Sequence, residues 1–239
     1  MKIETILSPT LYPGRQLQTG HATVAVDVLR ATTAICAAFK AGAKGIVPLA
    51  SLEPLADMHR NGYVVAAERG GKKLDLAECG NSPTEYLSMN LAGKRLAYST
   101  TNGTVSILTA LGSEPLLTGA FANITALADR LRKLPDGKGL VILCSGWEGD
   151  PSVEDTLFAG ALTERLLPDA ELVNDATTMA LDLWKQAKGD LYGYCQKATH
   201  VERLRRLGAE ADIRFAMELD SCAVVPRYDY ERKMLVRGE

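Results

Sequence analysis

Short runs rich in β-branched residues alternate along this chain with Ala- and Leu-rich runs of helical period, and that alternation restricts the fold to the α/β class. Residues 23–28 read as a buried strand, followed by an apolar helix over 31–41 that Gly42 ends. Residues 45–49 form the next strand, and Ser51 is expected to cap a helix reaching Arg60. A strand over 63–67 follows. Ser82-Pro83-Thr84-Glu85 combines an N-cap serine, a proline at the first helical position and a glutamate three residues after the cap, so a helix begins there. Strand and helix pair again over 95–99 with 103–111, and over 140–144 with 153–167. Residues 175–186 and 199–207 read as helices, 189–194 are ambiguous, and 223–228 with 233–237 read as a closing hairpin. No Pro/Gly/Ser-rich linker divides the chain, so one domain over 1–239 is expected, with two intertwined α/β halves as the alternative.

With 239 residues, 46% of them hydrophobic, the chain can build a core that needs neither metal nor disulfide, so any metal would serve chemistry. Its 27 basic and 29 acidic residues leave a net charge of −2, without the broad basic footprint of a nucleic-acid or anionic-membrane binder. No uncharged apolar stretch approaches the roughly 20 residues of a membrane span, and the start MKIETILSPT lacks a signal-peptide core; a cytoplasmic location is expected. Five cysteines without a C-x-x-C pair argue against a disulfide framework or zinc ribbon and for buried thiols.

The polar residues collect where strands end and helices begin: Asp27 with Arg30, Glu68-Arg69-Gly70-Gly71, Ser99 to Thr104, and Ser145 to Asp150. In an open parallel sheet such ends face one crevice. Gly, Ser, Thr and Asn before a helix leave amides free to hold an oxyanion, which suggests anion sites at Asn81-Ser82, Asn102-Gly103 and Ser145-Gly146. Arg30 adds a guanidinium fork. Asp27, Glu68, Glu148, Asp150, Glu154 and Asp155 share these loops, and carboxylates beside an anion site point to a hard cation between them, magnesium above all. The ligand expected is a small polyanion.

Plainer roles are available to each residue. Asp27 could simply cap a helix, Glu68 and Arg69 could be a solvated ion pair, and the acidic start at Glu154-Asp155 suits a helix dipole. Cys144 reads as a buried hydrophobe, and of His21, His59 and His200 only His200 is a candidate for the site. Familiar phosphate motifs are missing: Ala66 stands where a P-loop glycine would be, and no G-x-G-x-x-G exists. A tyrosine-phosphatase loop would need arginine at Asp150, and an aspartate-nucleophile phosphatase would need a second aspartate at Leu29.

Taken in order, Val26-Asp27-Val28-Leu29-Arg30-Ala31-Thr32-Thr33, Glu68-Arg69-Gly70-Gly71, Gly80-Asn81-Ser82-Pro83, Ser99-Thr100-Thr101-Asn102-Gly103-Thr104 and Cys144-Ser145-Gly146 resemble the 2-phosphosulfolactate phosphatase (ComB-type) family. The likeness continues through Glu154-Asp155 and His200 to Val225-Pro226; Ser145 and Thr199 depart from it. It implies a three-layer α/β/α ComB-like fold with a largely parallel or mixed sheet. It also implies a magnesium-dependent phosphatase that hydrolyses 2-phospho-3-sulfolactate to 3-sulfolactate and phosphate, in coenzyme M synthesis or related sulfolactate metabolism.

On that basis Asp27 and Glu68, with Asp155, are expected to hold magnesium, while Arg30 and the amides near Asn102 and Gly103 stabilise the phosphoryl charge. Ser99 and Thr101 are expected beside them, and Asn81-Ser82 and Ser145-Gly146 to grip carboxylate and sulfonate. A metal-activated water is the expected nucleophile, with direct attack by Asp27 as the alternative. Phosphatase action on other phosphorylated 2-hydroxy acids, and capture of a small anion without turnover, are the competing functions. A homodimer is compatible with the sequence, which does not fix the oligomeric state.

Overall fold

The computed structural model describes residues 1–238, and its first strand, β1 (Lys2–Ile6), is one that the sequence conceals. Glu4 interrupts the apolar pattern, yet it is buried, its two carboxylate oxygens each accepting a backbone amide, from Gln16 and Leu17, at 2.7 Å. A 3₁₀ helix over Pro9–Gly14 leads to β2 (His21–Val26), buried along its whole length because it is paired on both sides. Then come α1 (Ala31–Lys40) and β3 (Gly45–Pro48). The helix α2 (Leu55–Arg60) starts after Pro54 rather than at a Ser51 cap, since a proline fits the first turn and disfavours helix in the residue before it. A strand, β4 (Val64–Arg69), and its short partner β5 (Lys72–Lys73) precede α3 (Pro83–Ser88), where Ser82 Oγ accepts the Glu85 amide at 3.2 Å as a cap should.

The middle of the chain supplies β6 (Arg95–Ser99), α4 (Gly103–Thr109), β7 (Leu116–Gly119), a 3₁₀ turn over Phe121–Asn123, α5 (Ile124–Leu131) and β8 (Gly139–Cys144). After them come α6 (Val153–Leu166), β9 (Glu171–Leu172), α7 (Asp175–Ala187), α8 (Leu191–Cys195), α9 (Thr199–Arg206) and α10 (Glu210–Ala216). The ambiguous segment before residue 195 is therefore helical. A closing hairpin of β10 (Pro226–Asp229) and β11 (Met234–Arg237) ends the fold, as the sequence led one to expect.

All eleven strands form one open mixed sheet in the order β5-β4-β6-β3-β11-β10-β7-β2-β8-β1-β9. Helices cover both faces, giving the α/β/α layering. Val24 and Val26 of β2 face a layer containing α5, α6 and α7, while Ala25 between them faces α1, Tyr86 and Ile107. Two blocks are internally parallel, β4-β6-β3 and β7-β2-β8-β1-β9, and the β10–β11 hairpin joins them through three antiparallel steps. The blocks thus run in opposite senses along the hydrogen-bonded order. A sheet twists by about 20–25° per strand. Over the six steps from β4 to β2 this amounts to roughly 120–150°, enough to bring the carboxyl ends of the two reversed blocks back towards each other. No helix among the described residues is long and apolar enough to cross a membrane.

Candidate active site

Asp27 follows the last residue of β2 and is fastened to the start of α1. Ala31 donates its amide to Asp27 Oδ1 at 3.1 Å, and Thr32 donates both amide and hydroxyl to the Asp27 carbonyl, each at 2.8 Å. Oδ2 has no hydrogen-bond partner among the described residues. Burial, and then the neighbouring charge of Asp155, push the Asp27 carboxyl up to about 8; Glu68 adds to the rise, and the Ala31 amide and Arg30 oppose it. Helix-capping and site-facing roles, alternatives in the sequence, coexist in this one side chain.

The wall opposite comes from β4 and β6. Glu68 Oε1 accepts the Thr101 amide at 2.7 Å and Oε2 the Gly71 amide at 2.6 Å, so one carboxylate joins two strand-end loops. Gly70 and Gly71 have φ of 59° and 78°, the left-handed conformation that lets this turn double back beneath the cleft. Arg30 donates from Nη1 to Asp212 Oδ2 at 2.9 Å and from Nη2 to the Gly71 carbonyl at 3.0 Å. Asp212, on α10, also accepts the hydroxyls of Ser82 at 2.7 Å and Thr84 at 2.6 Å, so this buried ion pair ties α1, α3 and α10 together. Gly103 permits the closest approach: a Cβ there would overlap that of Ala31 and stand 2.7 Å from Asp27 Oδ2.

Asp27, Arg30, Glu68, Asn81, Thr101 and Asn102 line one cleft, with Gly70, Gly71, Trp147, Glu148, His200 and Arg203 among its other walls. Asn102, before α4, makes no side-chain cap bond, whereas Thr100 and Thr104 cap each other's backbone, Thr104 N to Thr100 Oγ1 at 3.2 Å and Thr104 Oγ1 to the Thr100 carbonyl at 2.9 Å.

Other residues picked out in the sequence stand behind the lining. Ser82 is spent on Asp212 and its own helix. Ser99 Oγ accepts from Arg69 at 2.9 Å and donates to the Leu49 carbonyl at 3.1 Å. Ser145 Oγ lies 2.6 Å from Ser106 Oγ, and Gly146 donates its amide to Asp155 Oδ2 at 3.0 Å. Asp155 Oδ1 accepts the Val28 amide at 2.8 Å, so Asp155 braces two strand-end loops from behind just as Glu68 does from the cleft wall. Arg69 also binds the Glu68 carbonyl, at 2.6 Å. Trp147 and Arg203 join the cleft although no motif in the sequence marks them as site residues.

The chemistry of the oxygen donors bears on a metal. Burial pushes Asp155 and Glu154 up to about 7, the charge of Glu154 adding to the rise at Asp155 and that of Asp27 to the rise at Glu154, and Glu154 Oε2 is buried without a partner. Arg30 is already engaged by Asp212. Among the described residues no group of three or more His, Cys, Asp or Glu side chains is disposed to hold a metal ion. An all-protein cage is therefore not what this cleft offers. Magnesium is commonly bound through one or two carboxylates together with phosphate and water, and Asp27 with its open Oδ2, beside Glu68, fits that mode. Asp155, which lies behind the lining of the cleft, does not.

A family model described as 2-phosphosulpholactate phosphatase matches residues 6–231. A probable 2-phosphosulfolactate phosphatase of Prochlorococcus marinus (strain MIT 9303) is 42% identical over 214 residues, 86% of this chain and 88% of that protein. Proteins of the same name from Picosynechococcus sp. (strain ATCC 27264 / PCC 7002 / PR-6) and Thermosynechococcus vestitus are 36% and 37% identical, covering 95% and 100% of both chains respectively.

Proposed function

The chain belongs to the 2-phosphosulpholactate phosphatase family, and from that premise we propose that its cleft hydrolyses 2-phospho-3-sulfolactate to 3-sulfolactate and phosphate with the help of magnesium. Membership makes it a phosphoric monoester hydrolase. The observation that carries the finer reading is Asp27: a buried carboxylate, open at Oδ2, in the same cleft as Arg30 and Glu68.

Held by Asp27 and Glu68 together with phosphoryl oxygens, magnesium would polarise the phosphoryl group and offset its charge. The protein's own groups do the positioning. Arg30, kept in place by Asp212 and the Gly71 carbonyl, presents its remaining guanidinium donors to the phosphoryl oxygens, and the Asn102 amide group supplies a neutral partner on the facing wall. Asn81 has its Oδ1 occupied by the Tyr98 hydroxyl, which leaves its Nδ2 amide group to donate to a substrate anion. Asp27 Oδ2 is the group placed to take a proton from an attacking water, or to attack phosphorus itself; trapping of a phosphoaspartate would establish the second route.

The test is phosphate release from 2-phospho-3-sulfolactate by the purified protein. A chelator should stop it and magnesium restore it. Release that ignores both would remove magnesium from the reaction, and tight binding without release would make the protein a small-anion binder instead.

A further inference from the structure

One cation in the cleft has no counterion among the described residues. Arg30 is neutralised by Asp212, 2.9 Å away. Arg203, on α9, is half-buried, donates from Nη2 to the Gly70 carbonyl at 2.5 Å, and holds its guanidinium 5.4 Å from the centre of the Trp147 ring. It makes no ion pair with a described carboxylate. Beside it His200, only 7% exposed, packs edge-on against Trp147 at 5.6 Å, with Nδ1 buried and without a partner. Both side chains line the same cleft as Asp27 and Arg30. A guanidinium with no carboxylate, next to a buried imidazole with an unmet nitrogen, is a polar arrangement that an anion would complete.

We propose that Arg203 and His200, steadied by Trp147, form the subsite for the substrate's sulfonate and so set the preference for a sulfonated phosphate ester. This rests on the phosphatase reading above and replaces Ser145-Gly146, which lie behind the lining, as the sulfonate's holder. The chemistry divides the cleft. A hard dication and Asp27 suit the phosphoryl oxygens, whereas a sulfonate is always ionised, spreads one charge over three weakly basic oxygens, and is better met by a planar fork and a neutral donor. Burial and then the charges of Arg203 and Arg30 push His200 down to about 4, so at neutral pH it contributes a hydrogen bond without a second cation.

Arg203 could instead serve only as a strap on the Gly70 turn. Comparing kcat/KM for phosphate release from 2-phospho-3-sulfolactate and from 2-phospholactate separates the two roles. Arg203→Met should lower the sulfonated-to-unsulfonated ratio about 10- to 100-fold, mainly through KM, as expected for losing a charge-assisted pair. Arg203→Lys, which keeps charge and reach but loses the fork, should recover part of the ratio, and it carries the test if the methionine variant fails to fold. His200→Phe, which keeps the contact with Trp147, should shift the ratio in the same direction. Equal losses on both substrates would overturn the subsite and leave the phosphatase reading standing. Wild-type protein that releases phosphate from neither ester would sink both.

Discussion

Asp27 meets two demands at once: its Oδ1 is satisfied by the Ala31 amide while its Oδ2 stays open in the cleft. That arrangement needs Gly103, since any Cβ there would crowd Asp27 Oδ2 and Ala31. Gly103→Ala should therefore cost about 1–3 kcal/mol of stability through overpacking. It should also lower kcat at least tenfold by displacing the carboxylate, a small misplacement being costly at a reacting centre. Denaturant titration and steady-state kinetics on the same variant check both; full activity would mean that the carboxylate's position does not matter. Asp27, Arg30, Glu68, Thr101 and Asn102 could be found in the sequence because they stand at strand ends, where an α/β sheet binds ligands. Ser82, Ser99 and Ser145 stand at such ends too, but a hydroxyl serves a neighbouring carbonyl, hydroxyl or carboxylate as readily as a substrate, and the sequence does not distinguish these uses. Arg203 was hidden for another reason. It shares a run with Arg205 and Arg206, which pair with Glu210 and Glu202 on the exposed surface, and nothing in the spacing sets it apart.

Elements were legible where the period was long or the cap specific. The Ser82-Pro83 start and the residue-175 helix fall where the pattern put them. β1 was missed because its buried Glu4 breaks the alternation, and the short β7 with α5 lacked a turn signal strong enough to separate them. Helix packing added constraints that no period reveals. A Cβ on Gly160 of α6 would overlap the Ala180 carbonyl of α7, so this glycine sets how closely the two helices approach behind the sheet. Gly160→Ala should lower stability by about 1–3 kcal/mol, read as a shifted urea midpoint, with kcat/KM of the folded fraction unchanged. A matching fall in kcat/KM would show that the α6–α7 spacing reaches the cleft, for example through Asp155 at the start of α6.

For the molecule as a whole, buried carboxyl groups gather in and behind the cleft, at the meeting of two oppositely directed strand blocks. The sequence indicated the α/β class and the convergence of strand ends, but not the reversal, because the antiparallel steps depend on how a distant hairpin inserts. The buried charge has a pH signature. Asp27, Glu154 and Asp155 have folded-state values of about 8, 7 and 7, raised from ordinary carboxylate values, so their stabilising contribution is complete below about pH 4 and is lost as pH rises through 7 and 8. His200, lowered to about 4, contributes fully above its ordinary 6.5 and loses that contribution as pH falls towards 4. Between pH 6.5 and 8.5 the carboxylates dominate this group. In chelator, Tm should fall by several degrees across that range, and millimolar magnesium should reduce the fall by binding the ionised form. A Tm that is flat or rising in chelator would contradict the assigned charge states. The central claim, that the open carboxylate at the end of β2 drives phosphate release, is tested most directly by measuring kcat on 2-phospho-3-sulfolactate for the wild type and for Asp27→Asn, with circular dichroism confirming equal folding. The expected loss is about 10³-fold or more; a folded Asp27→Asn protein that turns over at the wild-type rate would contradict that role for Asp27.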